Sequence, residues 1–564
     1  MLDIGVDFGS TYTTVSVYHD NEKKLEALSL SQTGTPFIPS VLSKGKKRTE
    51  FGKGAKNLMG KPGVRVFKAF KMLLPEENKG LLKKRGFDEE FTPRKVAVEF
   101  LEQVLGQILR DLGEKMIDHL VVCAPETWNS TLSTVDGRSI LRDICQDMEF
   151  VREVRVVSEP AAASAFFAYN YENVTHKSYD GFILLIDYGG GTLDLTLTEV
   201  LEGKAEGEKK NMEIRVRYRT GAGENMEGKV GKAGIVYMES LMLEAVSGME
   251  EFAGKDVVTD EKFFRAVDQL EAELQDSRSI VEQTFGMYPE LEDLQGMDED
   301  ERNFTVIEYR GEDVPVTYEM MAKVYDREIC PILGEKLDEV IAFMDRSGIS
   351  YRESAAEKFK LALVGGFGNF CLVRKQIEER FQISSADSRT RNIIKNRADC
   401  ERAISLGAAL LAADVIGIRM TAPYSIGICV KEKDQVCLSY GLRYNQDIAF
   451  EQTYFQNSAV DGEPIVILSM QGKIDKFLLN YGEDDRAAII AYPRKEFQDR
   501  LDHAINEYGT VVVGFSVDAS GILSLHIHDY DIMEEKIVGE RQVIELTSFR
   551  DLFDTQRVEK AIKQ

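Results

Sequence analysis

One local pattern occurs twice in this chain and constrains it more than any other. An apolar strand ends on an aspartate, a tight turn of glycines and hydroxyls follows, and a second strand leaves the turn. The later copy runs Ile183-Leu184-Leu185-Ile186-Asp187-Tyr188-Gly189-Gly190-Gly191-Thr192-Leu193-Asp194 and continues into Leu195-Thr196-Leu197-Thr198. That last alternation has the period of a strand. The earlier copy, Asp3-Ile4-Gly5-Val6-Asp7-Phe8-Gly9-Ser10-Thr11-Tyr12-Thr13-Thr14-Val15, repeats the order. Glycines carry no Cβ, so backbone N–H groups can come close to a ligand, and such groups form a nest that suits an anion. Three glycines alone read equally well as a plain hairpin turn. Two related hairpins suggest a duplicated architecture with a nucleotide held between the halves. No Gly-Lys-Ser/Thr opens a helix at either turn, so the pattern is not a P-loop.

The aspartates refine this reading. A carboxylate about 4 Å from a phosphate charge is repelled by roughly 4 kcal/mol at an effective dielectric of about 20. A cation between the two reverses the sign. Mg²⁺ fits, because it keeps most of its waters and needs only one or two carboxylates plus substrate phosphates.

Composition narrows the class. With 564 residues the chain exceeds one core, so two or more domains are expected. It is 43% hydrophobic and 29% charged, as in ordinary globular proteins. A net charge of −25 argues against a nucleic-acid or anionic-membrane partner. The seven cysteines form no Cys-x-x-Cys pair, which fits reduced thiols and a cytoplasmic setting. Strand residues begin at position 2, leaving no room for a signal peptide, and no apolar run approaches the ~20 residues of a membrane span.

Along the chain, Phe-Lys-Ala-Phe-Lys-Met-Leu-Leu at 67–74 offers lysines that, taken alone, read as surface residues. Ser158-Glu159-Pro160-Ala161-Ala162-Ala163 reads as a strand end, a turn and a helix start, with proline where its missing N–H costs little and alanines that permit close packing. Residues 238–250, 260–284 and 318–343 are helical by pattern, the last interrupted near Pro331. Leu361-Ala362-Leu363-Val364-Gly365-Gly366 is a third strand and glycine turn, and the small residues of 403–411 suit a tightly packed helix. From Tyr424 onward short alternating runs predict an all-β module. His526 and His528 share a strand face there; with no carboxylate or cysteine cluster beside them in sequence, they are expected to face solvent.

Three ordered motifs, Asp7-Phe8-Gly9-Ser10-Thr11-Tyr12, the Asp187–Asp194 run and Gly365-Gly366, closely resemble the actin-like ATPase superfamily. Ser158-Glu159-Pro160-Ala161-Ala162-Ala163 resembles the connecting motif of the heat shock protein 70 (DnaK-type) chaperone family, and Phe515-Ser516-Val517-Asp518-Ala519-Ser520-Gly521-Ile522-Leu523 resembles a strand-turn-strand of its peptide-binding sandwich. The resemblance implies an α/β actin-like (ribonuclease H-like, duplicated) two-lobed ATPase domain over 1–415, a linker over 416–423, a β-sandwich over 424–546 and a short helix or tail over 547–564. It implies ATP or ADP with Mg²⁺ as ligands, with Asp7 and Asp187 holding the metal through its waters. Gly9, Ser10, Thr11, Tyr12, Gly189, Gly190, Gly191 and Thr192 would hold phosphates, Gly365 and Gly366 would touch the adenosine, and Arg278 would flank the base. Lys71 matches the family's catalytic lysine, with Asp194 supporting the attacking water, Thr192 contributing its hydroxyl, and Glu159 close to the metal.

The chain also departs from that family's pattern. Its acidic second-lobe segment appears here as Val230-Gly231-Lys232-Ala233-Gly234, a serine becomes Phe367, an arginine becomes Asn369, and few residues remain after 546 for a helical lid. Two functions are therefore weighed. One is an ATP-dependent chaperone-like ATPase whose β module binds an extended apolar peptide or client protein, with a co-chaperone. The other is a nucleotide-gated scaffold with slow or no hydrolysis and one dedicated partner.

Overall fold

The computed structural model describes the chain except residues 32–33, 47, 130–136, 203–211, 226–228, 253–260, 384–386, 391–396, 423, 433–434, 450–451, 469–472, 483, 506–508, 547–551, 555 and 562–564. The two glycine hairpins open two sheets of like design. In the first, strands run in the order Lys24–Leu28, Tyr12–His19, Asp3–Phe8, Ile117–Ala124, Val151–Ser158. In the second the order is Phe359–Val364, Gly181–Tyr188, Leu193–Glu202, Met212–Ala222, Gly417–Arg419. Each sheet has an antiparallel three-strand meander, with a parallel strand added beside the first strand of the hairpin. The registers are equivalent: Asp7 pairs with Thr14 and Asp187 with Asp194, so each hairpin places its strand-end aspartate just below the turn. This is the duplicated two-lobed actin-like architecture that the repeated motif predicts.

Two helices fill the space between the sheets. Ser158 caps Glu159–Thr175, its hydroxyl accepting from the Ala161 N–H, and Pro160 occupies the first turn. The helix Arg397–Ala412 lies against it. A Cβ on Gly407 would run into the Ala162 carbonyl, and one on Gly5 would run into the backbone at Ser405 and Ala409. Small residues here set the spacing of the layers, as the alanine- and glycine-rich runs suggest. The remaining helices also follow the sequence: Gly234–Ser247, Glu261–Asp276 and Arg278–Met287 cover the first two expected stretches, Asp260 lying outside the described residues. Tyr318–Glu328 and Cys330–Arg346 are separated at Ile329, with Pro331 in the first turn of the second helix.

From Tyr424 onward two antiparallel sheets face each other. One holds Ser425–Ile428, Phe477–Asn480, Ile489–Ala491 and Glu559–Lys560; the other holds Tyr454–Phe455, Thr510–Val517, Leu523–Asp531 and Lys536–Glu545, with Val466–Leu468 also on Thr510–Val517. Phe477, Val511, Val513, Phe515, Leu525 and Ile527 fill the interior. The module is not wholly β. Lys495–Ile505 is a helix whose Phe497, Leu501 and Ile505, spaced four apart, pack into that interior. Where a short helix or tail is expected, the described part of 547–564 contributes the buried Phe553 and the strand Glu559–Lys560.

Residues 416–422 do not hang free. Gly417–Arg419 pairs in parallel with Met212–Ala222, and Arg419 binds Glu213 at 2.8 Å; Pro423 lies outside the described residues. The module is also docked on the first two lobes. Arg142 bridges to Asp518 at 3.3 Å and Glu545 at 3.1 Å, the Ser520 hydroxyl accepts from the Val156 N–H at 3.1 Å, and Asn445 donates to the Arg217 carbonyl at 3.0 Å. Replacing Gly407 with alanine is expected to push the central helices apart and destabilise the protein by roughly 1–3 kcal/mol, read as a lower urea midpoint than wild type.

Candidate functional site

The two hairpin turns meet across a cleft of about 550 Å³ lined from both lobes. They approach so closely that a Cβ on Gly190 would strike the Thr11 hydroxyl, and one on Gly191 would lie 2.6 Å from Met72 Sδ and 2.9 Å from Ser10 Oγ. The first turn is held in shape by Ser40. Its N–H donates to the Thr11 carbonyl at 2.8 Å and its hydroxyl to the Gly9 carbonyl at 2.6 Å. The second is held from behind by the segment Val230-Gly231-Lys232-Ala233-Gly234. The Lys232, Gly234 and Ile235 N–H groups donate to the carbonyls of Gly191, Gly189 and Gly190 at 2.9, 3.2 and 2.7 Å. Gly231 sits at φ +71°, against the Gly191 carbonyl, a conformation only glycine adopts without strain. The segment Val230–Gly234, one of those that depart from the family's sequence pattern, thus braces the glycine turn without an acidic side chain. Sequence reasoning missed both Ser40 and this brace, because main-chain hydrogen bonds leave no side-chain signature.

Below the turns lies a buried cluster of charge. Lys71 is 2% exposed, not the surface residue its local sequence suggests, and its ammonium is bonded to the Glu159 carboxylate. The ammonium also lies 5.9 Å from the Phe8 ring and 5.8 Å from that of Trp128. Burial alone would lower the Lys71 pKa; Glu159 and Asp7 outweigh it and hold the group above its ordinary value. Asp7, Asp187 and Asp194 converge beside this pair, and Asp187 Oδ2 is buried with no hydrogen-bond partner among the described residues. Burial first, with Glu159 adding and Lys71 opposing, pushes the Asp7 carboxyl up to about 7. Asp187 is raised well above its ordinary value by burial and by the charges of Glu159, Asp194 and Asp7. Clustered acids with an orphaned buried oxygen fit a divalent cation, whose charge would reverse these shifts.

The other expected residues line the same cleft. Thr192 is 6% exposed, and Gly9, Ser10, Thr11, Tyr12, Gly189, Gly365, Gly366 and Arg278 border the space. Gly365 sits at φ +81°, where a Cβ would meet the Tyr188 backbone. Arg278 faces Glu401 at 3.9 Å. Phe367 is held in an aromatic cluster, stacked on Phe370 with centroids 5.6 Å apart and edge-on to Tyr188 at 5.1 Å. Two ion pairs, invisible in any local sequence window, join the lobes at the cleft mouth: Lys68 with Asp268, and Arg85 with Glu239, the latter as paired bonds of 2.6 and 2.9 Å.

Comparison with known proteins gives the same picture. A family model described as Hsp70 protein matches residues 3–215. The chain is 23% identical over 581 aligned residues to the "Chaperone protein DnaK" of Elusimicrobium minutum (strain Pei191), covering 100% of this chain and 79% of that protein. Over residues 3–215 the chain matches the heat shock protein 70 family, and its full-length similarity is to a DnaK. That similarity is distant; the "Chaperone protein DnaK" of Mycoplasmoides gallisepticum (strain R(low / passage 15 / clone 2)) is 26% identical over 206 residues, 36% of this chain and 32% of its own length. Heat shock protein 70 family members are ATPases that typically bind ATP or ADP with Mg²⁺. The matched family model includes Asp7, Lys71, Glu159, Asp187, Thr192 and Asp194, while Arg278, Gly365 and Gly366 lie beyond it. No helix among the described residues is long and apolar enough to cross a membrane.

The raised Asp7 pKa has a definite sign. An unfolded aspartate ionises near ~3.9, so between about 4 and about 7 the folded protein holds a proton that the unfolded chain has lost. This group's contribution to stability therefore declines as pH rises through that window. A divalent cation at Asp7 and Asp187 needs carboxylates and must release protons on entering. Mg²⁺ affinity is expected to weaken below pH 7 by up to about ten-fold per pH unit for each proton released. Isothermal titration at pH 6.5, in two buffers of different ionisation enthalpy, should detect that release in wild type and find it reduced in Asp7→Asn.

Proposed function

We propose that this protein hydrolyses ATP with Mg²⁺ and couples nucleotide state to the binding of an extended apolar peptide or client segment by its β module. The observation that carries this reading is the buried Lys71–Glu159 pair lying between two braced glycine hairpins and next to Asp7 and Asp187. In this reading the N–H groups and hydroxyls of the two turns hold the phosphates. Lys71, kept charged by its acidic neighbours, is placed to orient a water and to offset charge developing on the transferred group. Asp194 lies on the opposite strand of the hairpin from Asp187 and is placed to support that water. When bound, Mg²⁺ would neutralise the phosphate oxygens, and Asp7 and Asp187 are the side chains placed to hold it.

Coupling is supported by the path from this site to the module. Glu159 begins the helix that directly follows strand Val151–Ser158, and that strand donates its Val156 N–H to Ser520. A change at Glu159 thus acts on the element that holds the docked module, and by linkage the module's occupancy acts back on nucleotide. The domain limits proposed are 1–415 for the nucleotide-binding unit, 416–423 for the connection, 424–546 for the sandwich and 547–564 for the tail.

A second reading, a nucleotide-gated scaffold with slow turnover and one dedicated partner, is favoured by Val230–Gly234, which braces the second turn but brings no acidic side chain to it. Single-turnover assays separate the two. Under the first reading Lys71→Ala keeps ATP binding within a few-fold and abolishes hydrolysis; turnover equal to wild type would remove the mechanism. Arg142→Ala, which removes the pairs to Asp518 and Glu545 and a local one to Asp143 but lies outside the cleft lining, is expected to leave basal turnover unchanged. It should remove most of any stimulation by an apolar peptide, measured by phosphate release with and without peptide.

A further inference from the structure

Far from the cleft, three metal-ligating side chains meet on one face of the module's second sheet. His526 and His528 project from Leu523–Asp531 on the side opposite the apolar interior, and Glu540 reaches them from the neighbouring strand Lys536–Glu545, where it pairs with His528. The histidines do not face solvent, as the sequence leads one to expect: their side chains are 12% and 16% exposed. Nor do they lack a carboxylate, since Glu540 is brought alongside by cross-strand pairing, which sequence proximity does not reveal. One ligand atom from each of the three lies within 4.8 Å of the others. Glu540 Oε2 is 2.8 Å from His526 Nδ1 and 3.5 Å from His528 Nε2. Donors bound at 2.0–2.2 Å around a tetrahedral ion are about 3.3 Å apart, so this trio needs only small shifts to share one.

Two further observations point the same way. His528 Nε2 is buried without a hydrogen-bond partner among the described residues, and the Phe455 ring fixes its imidazole edge-on at 5.1 Å. The Ser516 hydroxyl lies 2.7 Å from His526 Nε2. With Nε2–H donating to that hydroxyl, Nδ1 presents its lone pair toward Glu540 and His528, the arrangement by which metal-binding histidines are oriented from behind.

We propose that His526, His528 and Glu540 form a binding site for a divalent late transition ion of the zinc class, with Ser516 positioning His526. Two neutral imidazoles and one carboxylate select such an ion over Mg²⁺, which prefers oxygen ligands. Three protein ligands leave a fourth position for water. The ion would tie the outer strand Lys536–Glu545, which carries the docking residue Glu545, to its neighbour.

The test uses the full chain, stripped with a chelator and titrated with ZnCl₂ by calorimetry in excess MgCl₂, so that the cleft's acids are already occupied. Wild type is expected to take up one equivalent and to melt at a higher temperature with zinc. His528→Gln and Glu540→Gln, each checked for native circular dichroism and nucleotide binding, are expected to lose at least about 100-fold in zinc affinity and the melting shift. Ser516→Ala is expected to lose about ten-fold. Absence of uptake by wild type would reduce the trio to a Ser516–His526–Glu540 hydrogen-bond chain and overturn the proposal. Equal uptake by wild type and both glutamine variants would place the ion elsewhere and overturn it too.

Discussion

Everything at the cleft depends on a lysine and a group of acids buried side by side. Isolated, an ionised carboxylate in such a place would take up a proton, as the raised values at Asp7 and Asp187 indicate. In the Lys71–Glu159 bond each partner satisfies the other, and this leaves the two strand-end aspartates as the acids without a cationic partner of their own, held toward the protonated form. A buried pair of this kind is a poor source of stability, since the desolvation cost rivals the attraction gained. What it does is fix the position of a buried ammonium beside two acids whose protons a cation could replace.

The fold serves that arrangement by symmetry. Two meanders of the same register carry their aspartates to the same depth, and the turns above them come close enough that side chains at Gly190 and Gly191 would collide with the opposite loop. The central helices can bring the sheets so near only because alanine and glycine line their contact. Packing of small residues thus sets a distance that the charge cluster then uses.

Much of this could be read from residue order. The two hairpins, the helix after Ser158, the break just before Pro331 and the tightly packed helix through Gly407 each follow from a local rule of period, capping or side-chain size. What escaped had long-range causes. Lys71 looks like a surface lysine until tertiary packing closes around it, Ser40 acts through main-chain carbonyls of another loop, and Lys68 and Asp268 meet only when the lobes do. The helix at Lys495–Ile505 keeps helical spacing at Phe497, Leu501 and Ile505, but the strand-like runs around it lead to the expectation of an all-β module. Glu540 reaches the histidines through a strand register that includes bulges, which no count along the sequence supplies.

The connection at Gly417–Arg419 has a mechanical consequence. A flexible tether would let the sandwich drift away by degrees. Here the tether is itself a rung of the second lobe's sheet, joined by main-chain bonds and by Arg419 to Glu213. Peeling it off would break the pairing of Gly417, Ile418 and Arg419 with Glu213, Ile214 and Arg215, and with it the Arg419–Glu213 ion pair. Such a joint ties any separation of the sandwich to the loss of an edge strand from the second lobe's sheet.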